Sequence, residues 1–319
     1  MLNDMPFDKE TVRQSIPPLV IGEPVVEHES VQRYREYYGI DFENKKKHLS
    51  ASLGYIDVSG YRICIHTFLQ DKPKGTVFVM HGYYDHVGIY DHIIEYLIDQ
   101  RFSVVAFDLP GHGLSSGDNV AIHDFHRYQI VLHSVMDAAK EMMPSPWHIV
   151  GQSTGAAVII DFLLTGRFTQ KTSPFKKVVL LAPLVRPQSW LTGRAMQSIV
   201  ILFKQYIVRK FVTNSNDVNF LHFLRGRDPL QSRMLSARWV GALKSWVPYI
   251  EGKDSCEVPI TVIQGQQDGT VEWQHNLAVI KKKFTRTELV FIAQAHHQLV
   301  NETKALRKEI FGVMGSRLK

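Results

Sequence analysis

"WHIVGQSTGAAVII", residues 147–160, sets Ser153 between two glycines, after one apolar run and before another. The frame G-x-S-x-G is weak by itself: with glycine near 7% of residues, it arises by chance in roughly one chain in ten of this length. Its flanks carry more information. "WHIVG" is a short apolar run of the kind that forms a strand buried on both faces, and "AAVIIDFLL" (156–164) has helical character. A strand that enters a helix through a tight turn forces the central serine into strained backbone. Such a turn requires small neighbours, here Gly151 and Gly155, and directs helix N-terminal amides at the serine.

The same alternation extends outward on both sides. "GYIDVSGYRICIHTF" (54–68) reads as a hairpin around Ser-Gly. Strands are predicted at 75–80, 102–108, 147–151, 176–185, 259–265 and 287–293. Helical spacing falls at 90–100, 125–143, 156–164 and 273–284, with a last helix from about Asn301. Strands alternating with helices imply an α/β protein whose mostly parallel central sheet carries helices on both faces.

Residues 186–250 break this rhythm with two long helical patterns, 190–211 and 228–250, and no strand between them. Ten basic and two acidic residues give this stretch a net charge of +8, more than the +6 of the whole chain. The chain thus divides into an N-terminal arm (1–50), a core (51–185 and 251–319) and a helical cap or lid (186–250) inserted after the sixth strand. The arm is expected to be an extended segment plus one helix.

A serine hydroxyl near neutral pH becomes a nucleophile only with a histidine to take its proton, a carboxylate to hold that histidine, and donors for the developing oxyanion. Asp268 follows the apolar run 260–263, in "QGQQDGTV", whereas "APLVRPQ" after the preceding strand has no acid and Asp254 lies upstream of its strand. "AHHQLVNE" after the last strand offers His296 and His297, which spacing in a loop does not separate. The order Ser, Asp, His is that of the nucleophile-elbow hydrolases. Oxyanion donors would be the backbone amides of Thr154, which follows the nucleophile, and of Tyr83 in the "HGYYDH" loop.

These motifs, together with "FDLPGHGLSSG" (107–117), make the chain resemble the α/β-hydrolase superfamily, and within it the monoacylglycerol lipase and lysophospholipase-like branch. In that branch the catalytic histidine is followed by leucine two residues on and glutamate five residues on. Leu299 and Glu302 fit His297 in this way, so the resemblance selects His297 and puts His296 where relatives often carry tyrosine. It also supports Tyr83 as an oxyanion donor and implies that Asp108 and His112 organise loops.

The expected activity is hydrolysis of carboxylic esters, foremost lysophospholipid or monoacylglycerol, with neither cofactor nor metal. The alternatives are a carboxylesterase or thioesterase on small soluble substrates, and a non-catalytic binding protein of this fold. His123, His126 and His133 fall near one helix face but lack H-E-x-x-H or other ligand spacing. Phosphate-loop and dinucleotide fingerprints are missing. The excess basic charge sits in an apolar insertion, which argues against nucleic acid and for peripheral contact with an anionic membrane. Two cysteines, no signal-peptide pattern and no apolar run of membrane-spanning length make the cytoplasm the expected location.

Overall fold

The computed structural model describes residues 6–26, 28–190 and 205–319. Its centre is an eight-stranded sheet. In chain order the strands are β1 (Leu49–Val58), β2 (Tyr61–Gln70), β3 (Thr76–Met80), β4 (Ser103–Phe107), β5 (Trp147–Gln152), β6 (Lys177–Leu181), β9 (Ile260–Gly265) and β10 (Thr287–Ile292). In space they run β1-β2-β4-β3-β5-β6-β9-β10. β1 and β2 form an antiparallel hairpin, β2 meets β4 antiparallel, and every later pairing is parallel. The hairpin closes through Ser59 and Gly60, both at positive φ (49° and 85°), the backbone that a two-residue turn matched to strand twist requires.

Each short apolar run divides by period two between two cores. Phe78, Met80, Val105, Phe107 and Ile149 face one, and Val77, Val79, Val104, Ala106 and Val150 face the other. The first core is closed by α4 (Arg127–Ala139) and α5 (Thr154–Thr165). The second is closed by α1 (Lys9–Ser15), α2 (Glu29–Tyr38), α3 (Asp91–Asp99) and the C-terminal helix α9 (Lys304–Leu318). Helix α8 (Trp273–Lys283) contributes Leu277 and Ile280 to the first core. Each fully buried Val, Leu, Ile or Phe in these layers stabilises the fold by about 1.5–3 kcal/mol relative to exposure.

Three expectations need correction. Residues 1–50 hold two helices and a single helical turn (Phe42–Asn44) among their described residues, not one helix on an extended arm. Asp8 caps α1 by accepting from Thr11 N at 2.7 Å, and Gly39, at φ 66°, ends α2. Val31, Tyr34 and Tyr38 then lie on one helix face and bury in the second core. Helix α4 stops at Ala139, four residues before the expected end at Met143.

The third correction concerns 186–250. Inside the first helical pattern, Tyr206–Val208 (β7) is a strand paired antiparallel with Met234–Ser236 (β8), and α6 (Val218–Gly226) lies between them. The second pattern becomes helical only at α7 (Ala237–Gly252). Ile207 and Val208 are β-branched and favour the ladder. Ser236 ends β8 and caps α7, its Oγ accepting from Trp239 N at 3.3 Å. The part of the first pattern at 191–204 lies outside the described residues.

Candidate active site

Ser153 stands between β5 and α5 at φ 53°, ψ −107°, a conformation costing an L-residue roughly 1–3 kcal/mol. The surroundings enforce it. A Cβ on Gly151 would lie 2.6 Å from the carbonyl carbon of Gly155, and one on Gly155 would lie 2.4 Å from the Met80 carbonyl oxygen. Ser153 N donates to Leu181 O at 2.9 Å, tying the turn to the neighbouring strand end. Ser153 is buried, only 7% exposed.

His297 and Asp268 converge on this residue from the ends of β10 and β9. His297 Nε2 lies 2.8 Å from Ser153 Oγ, and His297 Nδ1 lies 2.7 Å from Asp268 Oδ2. Asp268 is fixed by donors on both oxygens: Thr270 N reaches Oδ1 at 2.8 Å and Gln264 Nε2 reaches Oδ2 at 3.1 Å. The Gln152 side-chain amide donates to His297 O at 2.7 Å, which holds the His297 loop against β5. Burial by itself would lower the His297 pKa, but the Asp268 carboxylate and its hydrogen bond outweigh it and raise the imidazole above 6.5. Burial likewise pushes Asp268 up, and His297 brings it below its usual value. A buried histidine so held can take a hydroxyl proton and keep the resulting charge paired.

His296 is turned to another purpose. Its backbone N donates to Glu302 Oε1 at 2.7 Å, and Glu302 also accepts from Asn216 N at 2.9 Å. Glu302 is fully buried, so it pins the histidine loop to the chain entering α6. The neighbour of Ser153 in the triad geometry is His297.

The two expected oxyanion donors, Tyr83 and Thr154, line the same pocket as Ser153 and His297. Gly82 packs beside the serine: a Cβ there would lie 3.5 Å from Ser153 Cβ and 2.8 Å from Asp85 Oδ2. Tyr90 Oη accepts from Gly82 N at 2.9 Å and donates to Asp85 Oδ2 at 3.0 Å. The Gln298 amide donates to both Asp85 oxygens, at 2.9 and 3.0 Å. His81 is buried and held below its ordinary pKa by desolvation; its Nε2 accepts from Leu109 N at 2.9 Å, leaving Nδ1 to donate to Gly82 O at 2.7 Å. Asp108 accepts from Val87 N and Leu114 N at 2.7 and 2.8 Å, and His112 Nδ1 lies 2.9 Å from Pro110 O. Both residues organise loops, as the resemblance implied.

Sequence reasoning missed Asp85, Tyr90 and Gln298, although each lies within or beside a quoted motif; their pairing is visible only in three dimensions. It also missed His86 and Asp228, whose side chains are fully buried and 3.0 Å apart, and Tyr38, which donates to Asp228 at 2.6 Å. Of the three histidines weighed for metal, His126 lies 2.7 Å from the Asp161 carboxylate and His133 packs on Phe162.

The pocket has a volume of about 230 Å³ and two characters. Leu184, Pro187, Leu235, Trp239 and Val271 form an apolar wall, while Asp85, Gln298, Asn214, Arg209 and Lys210 form a polar corner. The Tyr83 ring stacks on Trp239 at 3.8 Å, and its hydroxyl donates to Val120 O at 2.8 Å, so this side of the pocket is rigid.

Comparison with known proteins agrees with this architecture. The chain is 31% identical to human monoglyceride lipase over 144 residues, 44% of this chain and 46% of that protein. It therefore spans about half the length of that relative. It is 23% identical to phospholipase YtpA of Bacillus subtilis, over 77% of this chain and 95% of that one. A soluble variant of monoglyceride lipase from Saccharomyces cerevisiae, solved with a substrate analogue, superposes with a TM-score of 0.71 at 18% identity, covering 84% of this chain and 94% of that one. That likeness establishes the α/β-hydrolase fold. The family model described as serine aminopeptidase S33 (Hydrolase_4) matches residues 71–304, well over half of the chain, and the chain belongs to that family.

Proposed function

We propose that this chain is a serine hydrolase that cleaves carboxylic esters of amphiphilic molecules, of the lysophospholipid or monoacylglycerol kind, by acyl transfer. The observation that carries the proposal is the relay from Ser153 Oγ through His297 to Asp268, at 2.8 and 2.7 Å, on the floor of a two-sided pocket. His297 takes the Ser153 proton as Oγ attacks the ester carbonyl. The oxyanion rests on the amides of Tyr83 and Thr154, each such donor contributing roughly 10²–10³ in rate. As the tetrahedral intermediate collapses, the carbon–oxygen bond to the alcohol breaks and His297 protonates the leaving oxygen. Water, deprotonated by His297, then releases the acid. The described residues of the cap complete the pocket through Pro187, Arg209, Lys210, Asn214, Leu235 and Trp239.

The names of the lipase and phospholipase relatives support a lipid ester, as does the apolar wall. Val208, Val212 and Val218 are exposed beside Lys210, Arg225, Arg227 and Arg233 on the cap, which suits peripheral docking on an anionic membrane. No helix among the described residues is long and apolar enough to cross a membrane. Cys64 and Cys256 are free thiols, in keeping with a reducing compartment such as the cytoplasm.

The test is a chain-length series of p-nitrophenyl esters, followed by monoacylglycerol and lysophospholipid under identical conditions, with fluorophosphonate labelling in parallel. Ser153→Ala is expected to lose labelling and at least about three decades of turnover. An alanine variant with wild-type kinetics would refute the mechanism, and turnover confined to short soluble esters would refute the lipid assignment.

A further inference from the structure

We propose that Arg209, assisted by Lys210, forms an anion-binding subsite for the leaving alcohol, so that the preferred ester carries a phosphate or carboxylate on its head group. This deepens, and rests on, the ester-hydrolase reading above. The polar corner is the alcohol side of the pocket because it adjoins the proton donor. Gln298 follows His297 directly, and its backbone N donates to Asn214 O, another lining residue, at 2.8 Å. The apolar lining residues, such as Leu184 and Val271, are left for the acyl chain.

Arg209 is built into that corner rather than waving from the surface. Its guanidinium lies 3.8 Å from the centroid of the Tyr84 ring, next in sequence to the oxyanion residue Tyr83, and 4.5 Å from that of Phe211. Nη1 donates to Gln231 Oε1 at 2.9 Å and to Ser232 O at 3.3 Å. Among the described residues, Nε and Nη2 have no hydrogen-bond acceptor, and no carboxylate lies within ion-pair distance of the group. A planar cation that is largely desolvated, held at one nitrogen, and free along the edge carrying two more donors matches a bidentate oxyanion. The carboxylate that lines the corner, Asp85, is buried, and its oxygens are taken up by donors from Gln298 and Tyr90. Burial lowers the Arg209 pKa, which an anionic ligand would offset. Lys210 is exposed at the rim of the same pocket. Reaction steps are unchanged: the head group is held while the acyl–oxygen bond breaks.

The experiment uses the full chain and three hexanoyl esters: of glycerol, of glycerol phosphate and of glycerate. Binding is measured calorimetrically on Ser153→Ala, and turnover on the wild type. We expect both anionic esters to bind roughly 10- to 100-fold more tightly than the neutral one. Arg209→Gln should erase that ratio, the loss falling on KM rather than kcat because the head group is held equally in ground and transition states. Tighter binding of the phosphate alone, or of the glycerate alone, identifies the oxyanion and supports the subsite. Equal binding of all three esters, or a ratio untouched by Arg209→Gln, overturns it even if the ester is hydrolysed. Should Arg209→Gln fail to fold, Arg209→Lys and the exposed Lys210→Gln carry the same comparison, and a ratio unmoved in both overturns the subsite. Failure of the wild type to hydrolyse any ester or to label with fluorophosphonate refutes the ester reading separately, since the binding arm does not depend on turnover.

Discussion

Asp228→Ala gives a quantitative test of how the cap segment, the N-terminal segment and the loop after β3 are joined. Asp228, after α6, accepts from Tyr38 of α2 at 2.6 Å, from His86 of the loop after β3 at 3.0 Å, and from its own Leu230 N at 3.0 Å. Neither the His86 nor the Asp228 side chain is solvent-exposed. Burial depresses His86, but the carboxylate overcomes this and raises its pKa; burial raises Asp228, and His86 brings it back below 3.8. The carboxylate thus holds both partners, and deleting it leaves a buried imidazole nitrogen and a buried hydroxyl without their acceptor. Breaking a buried pair in this way costs about 3–5 kcal/mol. At about 2 °C per kcal/mol for a chain this large, Tm should fall by roughly 6–10 °C in scanning calorimetry. Asp228→Asn keeps an acceptor for Tyr38 and should lose about half as much.

The pH dependence of that difference has a definite sign. His86 is raised, so its contribution is complete below 6.5 and disappears as pH rises through its folded pKa. Asp228 is lowered, so its contribution is complete above 3.8 and disappears as pH falls through its folded pKa. The gap between wild type and Asp228→Ala should thus be widest from about pH 4 to pH 6.5 and narrow as pH rises through the folded pKa of His86. A Tm loss below about 2 °C, or a gap that widens toward alkaline pH, would refute the reasoning.

Three further outcomes follow from the site. The kcat/KM profile should rise with pH through a midpoint above 6.5, because only neutral His297 accepts the serine proton and Asp268 raises its pKa. Asp268→Asn should shift that midpoint downward and reduce turnover by about 10⁴ while remaining folded; an unshifted midpoint would assign the titration to another group. Gly155→Ala should destabilise by about 1–3 kcal/mol and impair activity, since the new Cβ meets Met80 and His81 backbone within 2.8 Å. Gly269→Ala, which meets nothing within 4 Å, is the control; equal Tm values for the two variants would contradict the packing of the serine turn.

The inner parallel strands were legible because they are buried on both faces, so an uninterrupted apolar run such as Val77–Met80 marks a strand without alternation. Ser153 and Asp268 were legible because each sits in a turn directly after such a run. His297 could not be told from His296 by spacing; what separates them is that Glu302 captures the His296 amide. The cap was misread because β7 and β8 hold only three residues each, too few for a period to register, and their Ile, Val and Leu satisfy a helical window equally well. Helix α6 was overlooked, although Asp217 caps it by accepting from Phe220 N at 3.0 Å and Leu221 and Leu224 bury one face. The Tyr38–Asp228–His86 junction joins residues up to 190 positions apart, and no local pattern encodes it.

The sheet order also sets a timetable. Ser153 is synthesised with β5, Asp268 only after β9, and His297 only after β10, which is an edge strand of the sheet. A growing chain on the ribosome therefore carries Ser153 long before it carries His297, and the Ser153–His297–Asp268 relay closes only once β10 has been made. During that interval the β9 run "ITVIQG" lacks its parallel neighbour β10 and presents an apolar, unpaired edge to other nascent chains. Late closure of the relay and vulnerability to misassembly during synthesis thus have the same origin: the late arrival of the strand that delivers His297.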